Sequence, residues 1–144
     1  MDRKRLLDFF TSLDRSFLID NEYKEYAGQD RPLPIGFGQT ISQPSLVLQM
    51  TYLLELQPDS KVLEIGTGSG FQTALLAQFA AAVYTSERIA ELAVAARQKL
   101  EQLGYQNIFY KIDDGSQGWP ENAPYDRIIV TAAAEKMPLD LVEQ

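Results

Sequence analysis

The stretch from Lys61 to Gly70 constrains the fold of this chain more than any other part of the sequence. Its first half, Val62 to Ile65, is too short for a helix, and its aliphatic residues favour a buried strand. Gly66, Gly68 and Gly70 follow at alternate positions, and glycine allows the positive φ angles and the close ligand approach of a tight turn. The pattern therefore predicts a strand that enters a glycine turn.

Ser69 and Gln72 have the spacing of a capping box. A helix is therefore expected to begin directly after the turn, with its free N–H groups facing the turn. Glu87 follows Gly66 by 21 positions and is expected to end the second strand, where a carboxylate suits the hydroxyl groups of a ribose. Together these features are typical of the first ligand-binding turn in an open α/β sheet.

The spacing of the turn also limits the class of ligand. A dinucleotide fingerprint would need glycine at position 71, where the chain has Phe71. Two acids, Glu64 and Glu87, flank the turn and no lysine of the P-loop type follows it, so a phosphate group is disfavoured. A cationic, phosphate-free nucleoside fits better, and S-adenosylmethionine is the candidate. The alternative is a structural turn flanked by two solvated acids.

Composition narrows the possible partners. A length of 144 residues with 45% hydrophobic residues predicts one domain with a substantial core. The net charge of −7 disfavours nonspecific binding to nucleic acid or to an acidic membrane surface. No apolar run has transmembrane length, and Met1 to Arg5 lead into an amphipathic segment rather than a signal peptide. Because the chain has no cysteine, a cytoplasmic location is expected.

The chain also has no histidine. Ser-His-Asp and Cys-His machinery are therefore excluded, as are the common zinc sites, and no metal is expected. A general base near neutral pH would have to be a shifted carboxylate, a lysine or a tyrosine. Either the reaction needs no such base or the protein is not an enzyme.

Hydrophobic periodicity predicts strands that alternate with helices, which is typical of an α/β fold with a parallel sheet and right-handed crossovers. Strands are expected at 62–65, 82–86, 107–112 and 125–131. Helices are expected at 3–13, 44–56, 71–79 and 89–103, with a helical turn near 22–26 and a last helix after Met137 and Pro138.

Two further segments are candidates for a site. Residues 30–44 carry prolines and glycines that exclude regular structure from the first half of the segment, and such long loops are often functional. Ser42 is expected to cap the helix that has Pro44 in its first turn, although a simple covering loop is the alternative. Asp113 and Asp114 follow the third strand on the ligand side of the sheet, unless they only form a turn.

Three stretches of the chain resemble the protein-L-isoaspartate O-methyltransferases, S-adenosylmethionine-dependent enzymes with a Rossmann-like methyltransferase fold. The stretches are Arg31 to Pro44, Val62 to Gly70, and Asp114 to Trp119 followed by Tyr125 to Ala134. The first stretch is highly specific to this family, whereas the second is shared by many methyltransferases.

The resemblance implies roles for individual residues. Cofactor binding is implied for Thr40, Ser42, Glu64, Gly66, Thr67, Gly68, Gly70, Glu87, Asp114 and Gly115. Within that set Glu87 would hold the ribose, and Asp114 with Gly115 would contact the adenine. Substrate binding is implied for Ile35, Thr40, Ile41, Ser42 and Gln43, and Ser42 would be the catalytic residue. The implied substrates are isoaspartyl-containing peptides and damaged proteins, whose methylation is a repair reaction.

The implied chemistry agrees with the missing histidine. An unperturbed isoaspartyl carboxylate has a pKa of about 3.9 and is already ionised at pH 7, so it can attack the sulfonium methyl group without losing a proton. The protein then has to align oxygen, carbon and sulfur and keep the carboxylate hydrogen-bonded. Ser42 and Thr40, with N–H groups of their loop, are the expected donors.

The chain departs from the family pattern at several positions and in length. Asp113 stands where glycine is usual, Phe37 where histidine or tyrosine is usual, and Ser86 where an apolar residue is usual. Family members continue beyond the segment that ends at Gln144. The chain is therefore expected to be a single, C-terminally truncated domain, with a helical and substrate-loop region at 1–56 and a cofactor-binding core at 57–144.

The resemblance also implies a strand order of third, second, first and fourth, with later strands beyond the fourth. The fourth strand would then be an open edge, which is a template for pairing with another chain. Self-association through this strand is expected, and so is weak or absent enzyme activity of the 144-residue chain.

Two other functions remain open from the sequence. A noncatalytic module that binds S-adenosylmethionine or a nucleoside would share the glycine turn and Glu87, but it would have no use for residues 34–42. A methyltransferase for another acceptor, such as a small acid or an RNA base, is the second alternative. The acidic net charge disfavours RNA.

Overall fold

The computed structural model describes residues 1–132 and 138–144. Its helices are α1 (Arg3–Ser12), α2 (Pro44–Leu53), α3 (Phe71–Phe79), α4 (Ala90–Gln102) and α5 (Leu139–Val142). Its strands are β1 (Leu33–Gly36), β2 (Gln39–Ile41), β3 (Lys61–Ile65), β4 (Ala82–Glu87), β5 (Ile108–Ile112) and β6 (Arg127–Val130). Short 3₁₀ helices span Arg15–Leu18, Glu22–Tyr26 and Pro120–Asn122. Ala133, Ala134 and Met137, which the sequence analysis assigned to matched or connecting segments, lie outside the described residues.

Four parallel strands form the central sheet in the order β5-β4-β3-β6. In the register of the sheet, Leu63 lies beside Tyr84 of β4 on one side and beside Ile128 of β6 on the other. The order agrees with the expected third, second, first and fourth strands, and the α/β class is confirmed. Because β3 and β4 are the inner strands, the glycine turn after β3 and Glu87 at the end of β4 lie side by side at the centre of the sheet edge.

Alternate residues of the strands enter different hydrophobic clusters, as the twofold period of a strand requires. Leu76 and Ala77 of α3 cluster with strand residues on one face, namely Val62, Val83 and Ile129. Leu63 and Ile65 belong to a second cluster, which also contains Leu141, Tyr84, Trp119, Tyr125, Ile128 and Val130. A third cluster joins α1, the β1–β2 segment and α2 to Phe71 and Leu75 of α3. The N-terminal segments are thereby packed against the helix that starts at the glycine turn.

Residues 33–41 form an antiparallel hairpin, so the expectation of an irregular segment was wrong. Strand β1 pairs with β2, with Leu33 opposite Ile41 and Pro34 opposite Thr40. The turn is made by Gly36, Phe37 and Gly38, whose φ angles are 90°, 58° and 70°. Proline is tolerated in such a two-stranded edge, where its missing N–H need not disrupt a central ladder. The glycines that argued against strands are instead what allows the turn between them.

The helix α2 is capped from a distance, and Ser42 is not its cap. The N-cap residue is Gln43, which makes no capping bond with its own side chain. The Oδ1 atom of Asp30 instead accepts a hydrogen bond of 2.9 Å from Ser45 N in the first turn of the helix. A negative side chain at a helix N-terminus is favourable wherever it lies in the sequence, so the local pattern misled the prediction.

The capping box expected at α3 does not form either. The N-cap of α3 is Gly70 in the left-handed conformation, without a side-chain cap. The Oγ atom of Ser69 accepts from the N–H of Phe71 at 3.3 Å, but the amide of Gln72 points into the core and donates to Thr51 Oγ1 at 2.7 Å. Tertiary packing between α2 and α3 decides the direction of this side chain.

The observed boundaries are close to the expected ones, and the helical turn near 22–26 is confirmed as a 3₁₀ helix. The helix α2 stops at Leu53, three residues earlier than expected. The longest helix, α4, has 13 residues. Within residues 1–132 and 138–144, none of the helices combines the length and the hydropathy needed to span a bilayer.

A prediction concerns the glycine that ends the turn. Gly70 has a φ of 89°, and a Cβ atom there would lie 3.2 Å from Leu100 Cδ1 of α4. Replacing Gly70 with alanine should lower the free energy of unfolding by about 1–2 kcal/mol, because an L-residue is strained in the left-handed region. Urea denaturation measures this loss. Gly28→Ala is the control, since no atom lies within 4 Å of a Cβ there; an equal loss in both variants would contradict the prediction.

Candidate active site

An open cleft lies at the carboxyl ends of the central strands, where α/β sheets bind their ligands. Its empty space, including the part continuous with solvent, is about 680 Å³. The residues that line the cleft come from the hairpin and the residue after it, the glycine turn, helices α2 and α3, and the ends of the four central strands: Gln39, Thr40, Ile41, Ser42, Val47, Ile65, Gly66, Thr67, Gly68, Ser69, Phe71, Gln72, Ser86, Glu87, Arg88, Asp114, Thr131 and Ala132. The cleft thus combines segments far apart in the sequence.

The glycine turn is hydrogen-bonded to the end of β4 and to itself. The N–H groups of Gly66 and Thr67 donate to Ser86 O at 2.8 and 3.2 Å, and Gly70 N donates to Thr67 O at 2.9 Å. These three N–H groups are therefore not free to cradle a phosphate, in contrast to the backbone of a phosphate-binding loop. The two hydrogen bonds to Ser86 O also fix the position of the turn relative to the end of β4.

Glu87, the last residue of β4, is 7% exposed and bridges two segments. Its Oε1 atom accepts from Gly68 N at 2.9 Å, and its Oε2 atom accepts from Ile89 N at 3.0 Å. An ionised carboxylate has about four lone-pair sites, so each oxygen retains capacity for another donor. Glu87 therefore lines the cleft as a rigidly held acceptor, in the position expected of a residue that binds a diol.

Asp114 and Gly115 have different roles in the loop after β5. Asp114 is exposed and lines the cleft. The Ser116 N–H, which donates to Asp114 Oδ1 at 2.8 Å, holds the pKa of Asp114 below its usual value. Gly115 is buried, and a Cβ atom there would lie 2.7 Å from Ile65 Cγ2. Gly115 is therefore required for packing and brings Asp114 to the cleft without lining it.

Glu64 lies beneath the turn and not in the cleft. Its side chain is fully buried in β3, and its Oε1 atom accepts hydrogen bonds from Thr73 Oγ1 at 2.5 Å and Thr85 Oγ1 at 2.7 Å. Burial raises the pKa of Glu64 to about 7, the two threonine hydroxyls oppose that rise, and the charge of Glu87 adds to it. Thr85 Oγ1 in turn lies 2.6 Å from Thr67 Oγ1. Among the described residues, the hydrogen bonds of Glu64 reach the turn through Thr85 and Thr67.

The hairpin brings three of the predicted residues to the opposite wall of the cleft. Thr40 is exposed, Ile41 is 2% exposed, and Ser42 is half-buried. Two other residues predicted to bind substrate do not line the cleft. Ile35 packs over the outer side of the turn, where its Cδ1 atom is 3.9 Å from the Cβ position of Gly68. The side chain of Gln43 bonds to Asp30.

Several lining residues were missed by the sequence analysis. Ser86 and Arg88 flank Glu87, so they could have been found from their position at the end of β4. Thr131 follows β6 and donates its hydroxyl to Gly66 O at 2.6 Å; its place at a strand end was an available signal. Val47 and Phe71 carried no such signal, because they reach the cleft through helix packing.

In the described part of the chain, no group of three or more Asp or Glu side chains is arranged to hold a metal ion.

The whole chain, residues 1–144, matches the family model described as Protein-L-isoaspartate(D-aspartate) O-methyltransferase (PCMT). The chain belongs to this family. A protein-L-isoaspartate O-methyltransferase of Dictyoglomus turgidum is 50% identical over 141 residues, which cover 98% of this chain and 64% of that relative. One of a Picosynechococcus species is 55% identical over 130 residues, which cover 90% of this chain and 59% of the relative. The chain thus spans about two thirds or less of the length of these two family members.

Solved structures support the same family fold. A protein-L-isoaspartate O-methyltransferase structure superimposes with a TM-score of 0.83 at 26% identity, covering 99% of this chain and 51% of that one. A putative protein-L-isoaspartate O-methyltransferase from Plasmodium falciparum, solved in complex with S-adenosyl-L-homocysteine, has a TM-score of 0.75 at 23% identity and covers 99% of this chain. The Rossmann-like methyltransferase fold expected from the resemblance is confirmed.

A prediction follows from the buried acid. Because the pKa of Glu64 is about 7 in the folded state, against an ordinary value of 4.5 for a glutamate, the unfolded chain releases this proton first as the pH rises. The contribution of Glu64 to stability should therefore fall by roughly 3 kcal/mol between pH 4.5 and 8. Urea unfolding of the natural chain and of Glu64→Gln across this range isolates the effect, since the variant cannot titrate there. A difference between the two proteins that stays constant with pH would show that Glu64 is ionised in the fold.

Proposed function

We propose that this chain binds S-adenosylmethionine and transfers its methyl group to the carboxylate of isoaspartyl residues in proteins and peptides. The observation that carries the proposal is that the hairpin residues Thr40 to Ser42 line the same cleft as the glycine turn and Glu87. The proposal rests on membership of a family whose members bear this name. A cytoplasmic location and the absence of a nucleic-acid partner stay predictions from composition.

The cleft suits a cationic nucleoside better than a nucleotide. Glu87 and Asp114 present carboxylates to it, and the N–H groups of Gly66, Thr67 and Gly68 are used within the protein. The free lone pairs of Glu87 suit the two hydroxyls of a ribose, and Asp114 would accept from the exocyclic amine of the adenine. Gly66, Thr67 and Gly68 would lie against the methionine part, and Gly70, Gly115 and Glu64 would support the site from behind.

The acceptor side is formed by hydroxyl groups. Thr40 and Ser42 lie on the hairpin wall of the cleft, and each hydroxyl can donate one hydrogen bond to a carboxylate. The hairpin is anchored by Leu33 and Ile41, which are 0% and 2% exposed, so the hydroxyls are presented from a packed element. Such anchoring favours catalysis by alignment, which requires near-attack geometry more than acid–base chemistry.

The bond changes are simple. S-adenosylmethionine supplies an electrophilic methyl group on a sulfonium when it is bound. An isoaspartyl oxygen would form the new bond to that methyl carbon while the carbon–sulfur bond breaks, and the electron pair of the broken bond would stay on sulfur. The products are a methyl ester and S-adenosylhomocysteine, and no proton moves. Ser42 and Thr40 orient the attacking oxygen, and the turn and Glu87 orient the methyl donor.

Tritiated S-adenosylmethionine tests the proposal directly. The chain is incubated with an isoaspartyl peptide and, as the control substrate, with the same peptide carrying an ordinary aspartate. A parallel chimera adds the C-terminal part of the Dictyoglomus turgidum relative after residue 144, because this chain matches 64% of that protein. With the chimera, base-labile label is expected in the isoaspartyl peptide and not in the aspartyl peptide, whereas the 144-residue chain is expected to give weak label or none. If the chimera binds S-adenosylhomocysteine but labels neither peptide, the isoaspartyl proposal is wrong, and a noncatalytic binding module or a methyltransferase for another acceptor takes its place.

Glu87→Ala should weaken S-adenosylhomocysteine binding. Removal of a charged acceptor for the ribose is expected to lower the affinity by about tenfold to a hundredfold. Isothermal titration calorimetry gives the affinity, and urea unfolding of the same samples accounts for the lost bond to Gly68. Glu91→Ala on the exposed side of α4 is the control. Equal affinities of the two variants would remove Glu87 from the site.

Ser42→Ala should lower methyl transfer much more than cofactor binding. Turnover of the isoaspartyl peptide by the chimera is expected to fall by about tenfold or more, because the hydroxyl orients the reacting carboxylate. The affinity for S-adenosylhomocysteine should change by less than about threefold. Ser12→Ala, at the exposed end of α1, controls for the loss of a hydroxyl elsewhere. If Ser42→Ala turned over the peptide as fast as the unsubstituted chimera, Ser42 would line the cleft without orienting the acceptor.

A further inference from the structure

The chain enters and leaves the hairpin at one place, which we call the hairpin base and which includes Ser42. It consists of residues 27–31, which precede β1, and residues 42–45, which follow β2 and begin α2. The two strands are only four and three residues long. Two-stranded hairpins of this size are marginally stable alone, so the position of Ser42 depends on what holds the base.

The guanidinium of Arg15 spans the hairpin base. Its Nη1 atom donates to Ala27 O at 3.1 Å and to Gln29 O at 3.2 Å. Its Nη2 atom donates to Arg31 O at 2.7 Å and to Ser42 O at 3.0 Å. One side chain therefore connects the segment before the hairpin to the backbone of the residue proposed to orient the acceptor.

Arg15 is itself fixed in the fold. It is 6% exposed and begins the 3₁₀ helix that ends at Leu18, which is 3% exposed. The guanidinium carbon lies 5.9 Å from the centre of the Phe71 ring, which lines the cleft and starts α3. Arg15 thus ties the hairpin base to the element that follows the glycine turn.

Asp30 closes the same base from its other side. Its carboxylate accepts from Ser45 N at 2.9 Å, and its carboxylate and carbonyl oxygens accept from Gln43 Nε2 at 3.3 and 3.1 Å. Burial lowers the pKa of the Arg15 guanidinium, and the negative charge of the nearby Asp30 carboxylate opposes that shift. Arg15 and Asp30 together therefore bind backbone carbonyls, a backbone N–H and a side-chain amide across one junction.

We propose that Arg15, supported by Asp30, is a positioning residue for the acceptor side of the site, which sets the hydroxyls of the hairpin against the glycine turn. The inference rests on the proposed function. It predicts that loosening the hairpin base weakens binding of the isoaspartyl peptide while the cofactor side, built on β3 and β4, keeps its affinity. Nothing local in the sequence marks Arg15 for this role, because its hydrogen-bond partners lie 12 to 27 residues away.

The geometry requires arginine in particular. A guanidinium carries five N–H donors in a planar fork, whereas a lysine ammonium has three donors at one point. A lysine at position 15 keeps the positive charge but cannot reach four carbonyl oxygens on both sides of the base. Arg15→Lys therefore separates the loss of the bridging bonds from the loss of charge.

The experiment measures amide hydrogen exchange and two affinities on the natural chain, Arg15→Lys and Asp30→Ala. Arg97→Lys is the matched control, since Arg97 is exposed on α4 and its ion pair is with the neighbouring Glu101. In Arg15→Lys the amides of residues 33–42 should exchange about tenfold faster or more, while those of β3 and α3 stay unchanged. If Arg15→Lys fails to fold, Asp30→Ala replaces it as the test variant, because Asp30 is exposed. The same amides should then exchange faster in Asp30→Ala.

Affinity for an isoaspartyl peptide is measured by fluorescence polarisation in the presence of S-adenosylhomocysteine. It should fall by about tenfold in Arg15→Lys, and S-adenosylhomocysteine affinity alone should change by less than about threefold. Unchanged exchange in residues 33–42 would overturn the proposal. So would faster exchange without a change in peptide affinity, or an equal loss of both affinities. If the natural chain does not bind the peptide, both affinities are measured on the chimera. If the chimera does not bind the peptide either, the proposed function fails, while the exchange data still decide whether Arg15 holds the hairpin base.

Discussion

The hydrogen bonds between the glycine turn and the end of β4 are the constraint on which the site depends. Ser86 O holds the N–H groups of Gly66 and Thr67, and the Glu87 carboxylate holds Gly68. These bonds convert three flexible residues into a fixed surface and use the donors that a phosphate would need. Glu87 therefore acts twice, as the anchor of the turn and as an acceptor that still faces the cleft. In the function proposed above, nucleoside binding would use both, because an acceptor for the ribose has to lie at a defined distance from the turn.

Burial of the Glu64 side chain beneath the turn is energetically unfavourable. Glu64 stands between two apolar residues of β3 and is completely removed from solvent, with its Oε2 atom unbonded among the described residues. Threonines at positions 73 and 85 satisfy the other oxygen, and Thr85 passes the connection to Thr67 in the turn. Burying such a group is unfavourable unless it is hydrogen-bonded. The network thus links the position of α3, β4 and the turn to one side chain, and it explains why an acid at this position need not touch a ligand.

The sequence predicted elements whose causes are local and missed those whose causes are distant. The strand β3, the turn and α3 were predicted because their apolar run, glycines and helix formers lie within about twenty residues of one another. The hairpin was missed because its prolines and glycines were taken as breaks, while the pairing that stabilises it depends on Leu33 and Ile41 being buried against α3. Both predicted caps failed for the same reason. Asp30 caps α2 from 15 residues away, and Gln72 bonds across to α2.

The sequence by itself determined the α/β class and the family, and it predicted residues 31–44 and the glycine turn as two walls of the candidate site, since each of these is a continuous motif with its own spacing. Only the tertiary structure decided which motif residues face the cleft. Glu64, Gly70 and Gly115 were assigned with their neighbours, yet a strand alternates its faces and a glycine can be needed for packing alone. Arg15 shows the converse, because nothing in its neighbours marks it and its four carbonyl partners exist only in the folded chain. Local spacing specifies which groups are present, and long-range packing specifies where they point.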